Sequence, residues 1–113
     1  MKDIVYYANT KKDIAAFPSK AKQRIARLLD MLVADLELQP NDFKYMPTVG
    51  MGTYELRVKV VSQYRVFYVA KFEEAIYVLH DFVKKTQETS QKDIEKGRER
   101  YKALLCYRQE EKL

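Results

Sequence analysis

Residues 53–85 read TYELRVKVVSQYRVFYVAKFEEAIYVLHDFVKK. Three apolar-alternating runs are separated here by short polar breaks, the pattern of a small antiparallel sheet. In the first run Tyr54, Leu56, Val58 and Val60 alternate with Glu55, Arg57 and Lys59. Ser62-Gln63 then supplies a short connection, although it lacks the Gly or Asn that two-residue hairpins favour. The second run, Tyr64 to Lys71, is apolar on both faces: Arg65, Phe67, Val69 and Lys71 share one, and Tyr64, Val66, Tyr68 and Ala70 the other. Such a strand belongs in the middle of a sheet. Glu73-Glu74 make the next turn, and Ala75 to Phe82 form a nearly continuous apolar strand interrupted by His80-Asp81.

Upstream, Asp3 to Tyr7 reads as a first strand. Thr10 with Asp13 resembles a capping box for a short helix whose Ile14 and Phe17 face inward and which Pro18 ends. Ser19 is placed to cap a longer helix with an apolar stripe at Ala21, Ile25, Leu28, Leu29, Leu32, Val33 and Leu36. The basic residues of its first half read as a solvated helix face. Gln39 to Gly52, with Pro40, Pro47, Gly50 and Gly52, reads as a loop that turns sharply or lies close to something. Downstream, Ser90 with Asp93 starts a closing helix to about Tyr107, with Ile94, Tyr101, Leu104 and Leu105 inward and a frayed tail over residues 108–113. Gly97 within it predicts a close packing contact, because glycine costs roughly 1 kcal/mol there against alanine. The order of strand, two helices, three strands and a helix predicts an α+β fold with an antiparallel sheet.

The 113 residues fit one domain, 1–113, large enough to bury a core without disulfides or metal. No apolar run approaches the roughly 18 residues of a membrane span, and the N-terminus does not read as a secretory signal. With the single Cys106, the expected location is cytoplasmic. Twenty-one basic residues against 16 acidic leave +5, which permits a polyanionic partner. One His and one Cys do not make a standard zinc site, and the GMG at 50–52 is no phosphate loop, so neither metal nor cofactor is expected. Cys106 reads as a buried structural thiol rather than a nucleophile.

What remains is a set of cations on a sheet. Arg57 and Lys59 share a face of one strand, Arg65 and Lys71 a face of the next. His80 stands near the end of the third, with Lys84 and Lys85 just past it. Arg65 is the strongest candidate: an arginine in a buried strand is costly unless paired, here with Glu55 or Asp81, or used, and its fork suits phosphate. Arg57 has Glu55 and Glu74 as alternative partners. The plainer readings are solvated strand ends for Lys59 and Lys71, a charged loop for Lys84-Lys85, and a satisfied core-edge imidazole for His80. Metal-free phosphodiester cleavage needs a base for the ribose 2′-hydroxyl, cations for the phosphorus and an acid for the leaving oxygen; lysine, arginine and histidine can meet these needs.

At YELR (54–57), YRVFY (64–68) and AIYVLHDFVKKTQETSQKDIEKGRER (75–100), with AFPSKAKQRIARLLD (16–30), the chain resembles the phage-derived, HigB-like branch of the RelE toxin superfamily. The resemblance covers nearly the whole chain. It implies a twisted antiparallel sheet with an N-terminal helical hairpin and a C-terminal helix packed against it. It implies a type II toxin that cuts messenger RNA on the ribosome without metal, and a cognate antitoxin, typically with a helix-turn-helix domain. By position it implies that Arg65 stabilises phosphate charge and that Arg57 and Lys84 or Lys85 bind phosphate. Lys59 and Lys71 are further candidates for phosphate binding from the strand faces alone. His80 and Lys84 are the candidates for proton transfer. Family members with a functional Tyr or Arg near the C-terminus leave Tyr101, Tyr107 and Arg108 as counterparts here. The alternatives are a non-catalytic RNA- or protein-binding module on the same fold, or a related toxin with another target such as gyrase.

Overall fold

A computed structural model describes residues 2–111. Its elements in chain order are β1 (Asp3–Tyr6), α1 (Thr10–Ala15), α2 (Ser19–Val33), β2 (Phe43–Tyr45), β3 (Thr53–Val60), β4 (Ser62–Val69), β5 (Ala75–Lys84) and α3 (Gln91–Glu111), with a 3-10 turn at Pro40–Asp42. The fold is α+β, with one five-stranded sheet in the order β1-β5-β4-β3-β2.

Strand β4 lies at the centre and is buried on both faces, as its two-sided apolar pattern requires. On one face Leu56, Val58, Val66, Tyr68, Ile76 and Val78 pack against α1 and α2 through Ile14, Ala21, Ile25, Leu28 and Leu29. On the other, Phe67, Val69, Tyr77 and Leu79 pack against Tyr101 and Leu104 of α3 and against Met46 and Val49 of the preceding loop. Each of these large side chains contributes about 1.5–3 kcal/mol on leaving water.

Several local expectations change. The hairpin turns at Val61, in the left-handed region at φ 64° and fully exposed, rather than at Ser62-Gln63. β1 pairs with β5 in parallel, so the sheet is mostly rather than wholly antiparallel. The span 39–52 contains the edge strand β2, only three residues long and thus without a visible alternation. Helix α2 ends at Val33 because Asp35 takes a left-handed conformation (φ 59°), which leaves Leu36 exposed. Thr10 is buried and no side-chain cap forms on α1. Pro18, not Ser19, holds the N-cap position of α2. In α3 the residues Ile94, Tyr101 and Leu104 do face inward, but Leu105 and Cys106 are exposed. The helix continues to Glu111, past the expected fraying point; residues 112 and 113 lie outside those described.

Ser90 caps α3 as expected, its Oγ accepting from the Asp93 amide at 3.2 Å. Gly97 is likewise a close contact. A Cβ there would stand 2.8 Å from Cδ2 of Phe67 and 2.9 Å from Cγ1 of Val49. Gly97→Ala is therefore expected to destabilise the fold by about 1 kcal/mol: overpacking costs about 1–3 kcal/mol, and the helix-propensity gain of about 1 kcal/mol offsets only part. Urea denaturation measures this, and an unchanged or raised midpoint would mean that α3 lifts from the sheet without cost.

Candidate functional site

α3 covers only part of its face of the sheet, because its buried side chains meet the Phe67–Tyr77 region. The remainder of that face, toward the β3–β4 hairpin, carries polar groups. Arg57 lies directly opposite Arg65 across the two strands, an arrangement that is unfavourable unless a counter-charge intervenes. Glu55 is that counter-charge. It is 1% exposed, and its Oε1 lies 3.4 Å from Arg65 Nε and 3.9 Å from Arg57 Nε. Its Oε2 accepts a 2.9 Å hydrogen bond from the Thr89 hydroxyl. Arg65 also donates from Nη1 to the Tyr64 carbonyl at 3.2 Å and from Nη2 to Gln63 Oε1.

Beside this cluster opens a groove of about 280 Å³ lined by Lys44, Met46, Glu55, Arg57, Lys84, Gln87, Glu88, Thr89 and Ile94. A second cavity of about 210 Å³ adjoins it, lined by Phe82 to Thr86, Ser90 and Asp93, and Lys84 borders both. Burial lowers the Lys84 pKa, and the charges of Arg65, Arg57 and Lys44 lower it further against the opposing pull of Glu55. Burial also lowers the pKa of Arg65, with Arg57 adding and Glu55 opposing, yet a guanidinium remains protonated. The site is thus a cluster of Arg57, Arg65 and Lys84 around one buried carboxylate, with Lys44 at its rim.

A β-bulge brings Lys84 there. Tyr68 pairs with Val78, but Phe67 pairs with His80, so Leu79 is skipped and the alternation of β5 changes phase. Strict alternation from Tyr77 would put Leu79, Asp81 and Val83 on the groove face. Leu79 stays on that face, but past the bulge His80, Phe82 and Lys84 follow it there in place of Asp81 and Val83, opposite Phe67, Arg65 and Gln63 in turn.

The structure gathers only some of the expected site residues. Arg57, Arg65 and Lys84 come together, and Lys85 lines the adjoining cavity. Arg65 is 3% exposed, so it sits beneath the groove rather than in its wall. Lys59 is exposed near the end of β3, opposite Gln63. Lys71 does not join the set. It lies six residues beyond Arg65, about 20 Å along a strand, and its ammonium bonds the Met51 carbonyl (2.9 Å) and the Tyr101 hydroxyl (3.3 Å).

His80 shares the groove face but lines neither cavity. Its Nε2 lies 2.7 Å from Asp93 Oδ1, and Arg100 Nη1, which donates to the Leu79 carbonyl, lies 3.5 Å from its Nδ1. These partners fix a neutral ring that donates to Asp93. Burial lowers its pKa, with Arg100 and Lys96 adding and Asp93 opposing. His80 thereby ties the start of α3 to β5, and its expected role in proton transfer lacks a free ring nitrogen. Of the C-terminal counterparts, Tyr101 donates to the Met51 carbonyl (2.7 Å) and Arg108 is held by Glu74 (2.6 Å) and the Phe72 ring, while Tyr107 is exposed. None lines the groove. Asp81 faces the opposite side of the sheet, toward Asp13 of α1, so of the two expected partners Arg65 pairs with Glu55.

In the sequence Glu55 reads as a mere counter-ion, and Thr89 carries no signal. Glu55 alternates with core residues, as a solvated strand carboxylate would, and only burial distinguishes it. Thr89 sits in a polar loop without periodicity.

No curated protein matches the chain. Residues 12–102 match the family described as phage derived protein Gp49-like (DUF891), so that most of the helical hairpin, strands β2 to β5 with the cationic cluster and the first half of α3 fall within the match, and the chain belongs to that family.

Proposed function

We propose that this protein is the toxin of a type II toxin–antitoxin pair, a metal-independent endoribonuclease acting on messenger RNA at the ribosome in the cytoplasm. The observation that carries the reading is the convergence of Arg57, Arg65 and Lys84 on the groove bordered by Glu55. Membership of the phage-derived Gp49-like family and the resemblance to HigB-like toxins support it.

Arg57 and Lys84 bind the non-bridging oxygens of the scissile phosphate, and Lys85 a neighbouring phosphate. Arg65 adds positive charge from beneath, where low polarity strengthens its field. The 2′-oxygen attacks phosphorus, its proton passes to the Glu55 carboxylate, and the bond to the 5′-oxygen breaks. Lys84, whose ammonium is made more acidic by its surroundings, protonates that oxygen and leaves a 2′,3′-cyclic phosphate. The partner is an antitoxin, with a helix-turn-helix domain expected.

The burial of Arg65 supports a second reading, a non-catalytic binding module in which the arginine pair only closes the sheet. Induced expression in bacteria with primer-extension mapping of transcripts separates the two. Growth arrest with discrete cuts inside reading frames is expected, whereas intact transcripts would exclude the nuclease.

A further inference from the structure

We propose that Thr89 is a positioning residue whose hydroxyl holds the Glu55 carboxylate away from its two arginines and so keeps the groove able to accept a phosphodiester. The inference rests on the reading of the groove as a phosphodiester site.

Arginine and carboxylate side chains left to themselves form parallel, bidentate hydrogen bonds. Glu55 makes none with either neighbour. Its Oε1 stands 3.4 Å and 3.9 Å from the two Nε atoms, and the buried Nε of Arg65 has no hydrogen-bond partner. A buried donor without an acceptor is costly. The nearest acceptor, the Glu55 carboxylate, is instead bonded through Oε2 to Thr89, from the segment joining β5 to α3. That segment also places Gln87 and Glu88 in the groove wall. The Thr89 bond therefore divides the carboxylate between the segment and the sheet. It leaves the half-exposed Arg57 guanidinium in reserve for an anion that enters beside it and Lys84.

Without that hydroxyl, Glu55 rotates into a close pair with Arg65 or Arg57. The cluster then neutralises itself, anion affinity falls, and stability holds or rises. A merely structural threonine predicts the opposite for stability.

The test compares Thr89→Val and Thr89→Ser with the native protein in three measurements. Fluorescence anisotropy with a single-stranded 2′-fluoro hexanucleotide, which lacks the attacking hydroxyl, reads affinity. Urea denaturation reads stability. The arginine Nε–H resonances read the Glu55–arginine geometry without any ligand. For Thr89→Val we expect about tenfold weaker binding, the scale of one hydrogen bond to a charged group, with undiminished stability and a shifted Arg65 or Arg57 Nε–H signal. Serine should restore all three. Unchanged Nε–H signals in Thr89→Val, or a loss of stability in that variant, would overturn the positioning role. If the signals shift but the native protein does not bind the hexanucleotide, the positioning of Glu55 stands and the phosphodiester reading falls.

Discussion

Arg65→Ala is expected to lower stability by about 3–5 kcal/mol, because it leaves Glu55 buried beside a single, more distant and half-exposed arginine. It should also lower the cleavage rate by about 10²–10³-fold, the scale of losing one preorganised charge-stabilising group. Activity loss alone would be ambiguous, since a protein weakened this far is partly unfolded. The paired variant Glu55→Gln with Arg65→Met resolves this. Removing both charges relieves the orphaned carboxylate and should recover most of the stability, while cleavage stays lost. Urea unfolding of the two single variants and the double gives the coupling energy. A coupling near zero would mean that the 3.4 Å contact holds nothing together. Recovery of cleavage in the double variant would remove both residues from the mechanism.

Asp81→Asn is expected to stabilise the protein at alkaline pH and to have little effect in acid. The Asp81 carboxyl is pushed up to about 7 by burial first, then by the charge and hydrogen bonding of Asp13, with Arg100 opposing. A raised folded pKa means that the folded state holds the proton more tightly. The associated stability is fully present below the ordinary value of 3.8 and is lost as pH rises through about 7. A three-unit shift corresponds to about 4 kcal/mol at most. Asparagine keeps a donor toward Asp13 but does not titrate. The stability difference between variant and native protein should therefore grow from near zero at about pH 4 to several kcal/mol at about pH 8. His80, whose pKa is lowered, contributes the opposite slope in both proteins and cancels in the difference. A difference independent of pH would show that Asp81 titrates as an exposed carboxylate.

The faces of β3 and β4 were legible because each strand alternates without interruption. Leu56, Val58, Val66 and Tyr68 go to the α2 side, and Glu55, Arg57, Arg65 and Phe67 to the other. The start of α3 was legible because Ser90 and Asp93 carry a local hydrogen-bonding code, and Gly97 because only a close neighbour justifies its cost. The candidate site was half legible. Arginines in an apolar strand draw attention, but a carboxylate that alternates with core residues looks solvated until a second strand and a loop close over it. β2 and the parallel pairing of β1 were invisible, since three residues show no period and an edge partner leaves no mark in the strand itself.

The alternation and composition of residues 53–85 determined by themselves that the chain makes a sheet with a buried central strand, and which face of its own strand each of Arg57 and Arg65 takes; the pairing register of β3 and β4 then set the two arginines side by side. Tertiary structure alone decided which other groups meet them. The skipped Leu79 reverses the phase of β5 and delivers Lys84 to the arginines while His80 is taken up by Asp93, and Lys71 is drawn away to the 50–52 turn. The reason is that a strand has a period of two, so a single bulged residue exchanges its faces, and a bulge is a property of how two strands pair, not of the residues in either one.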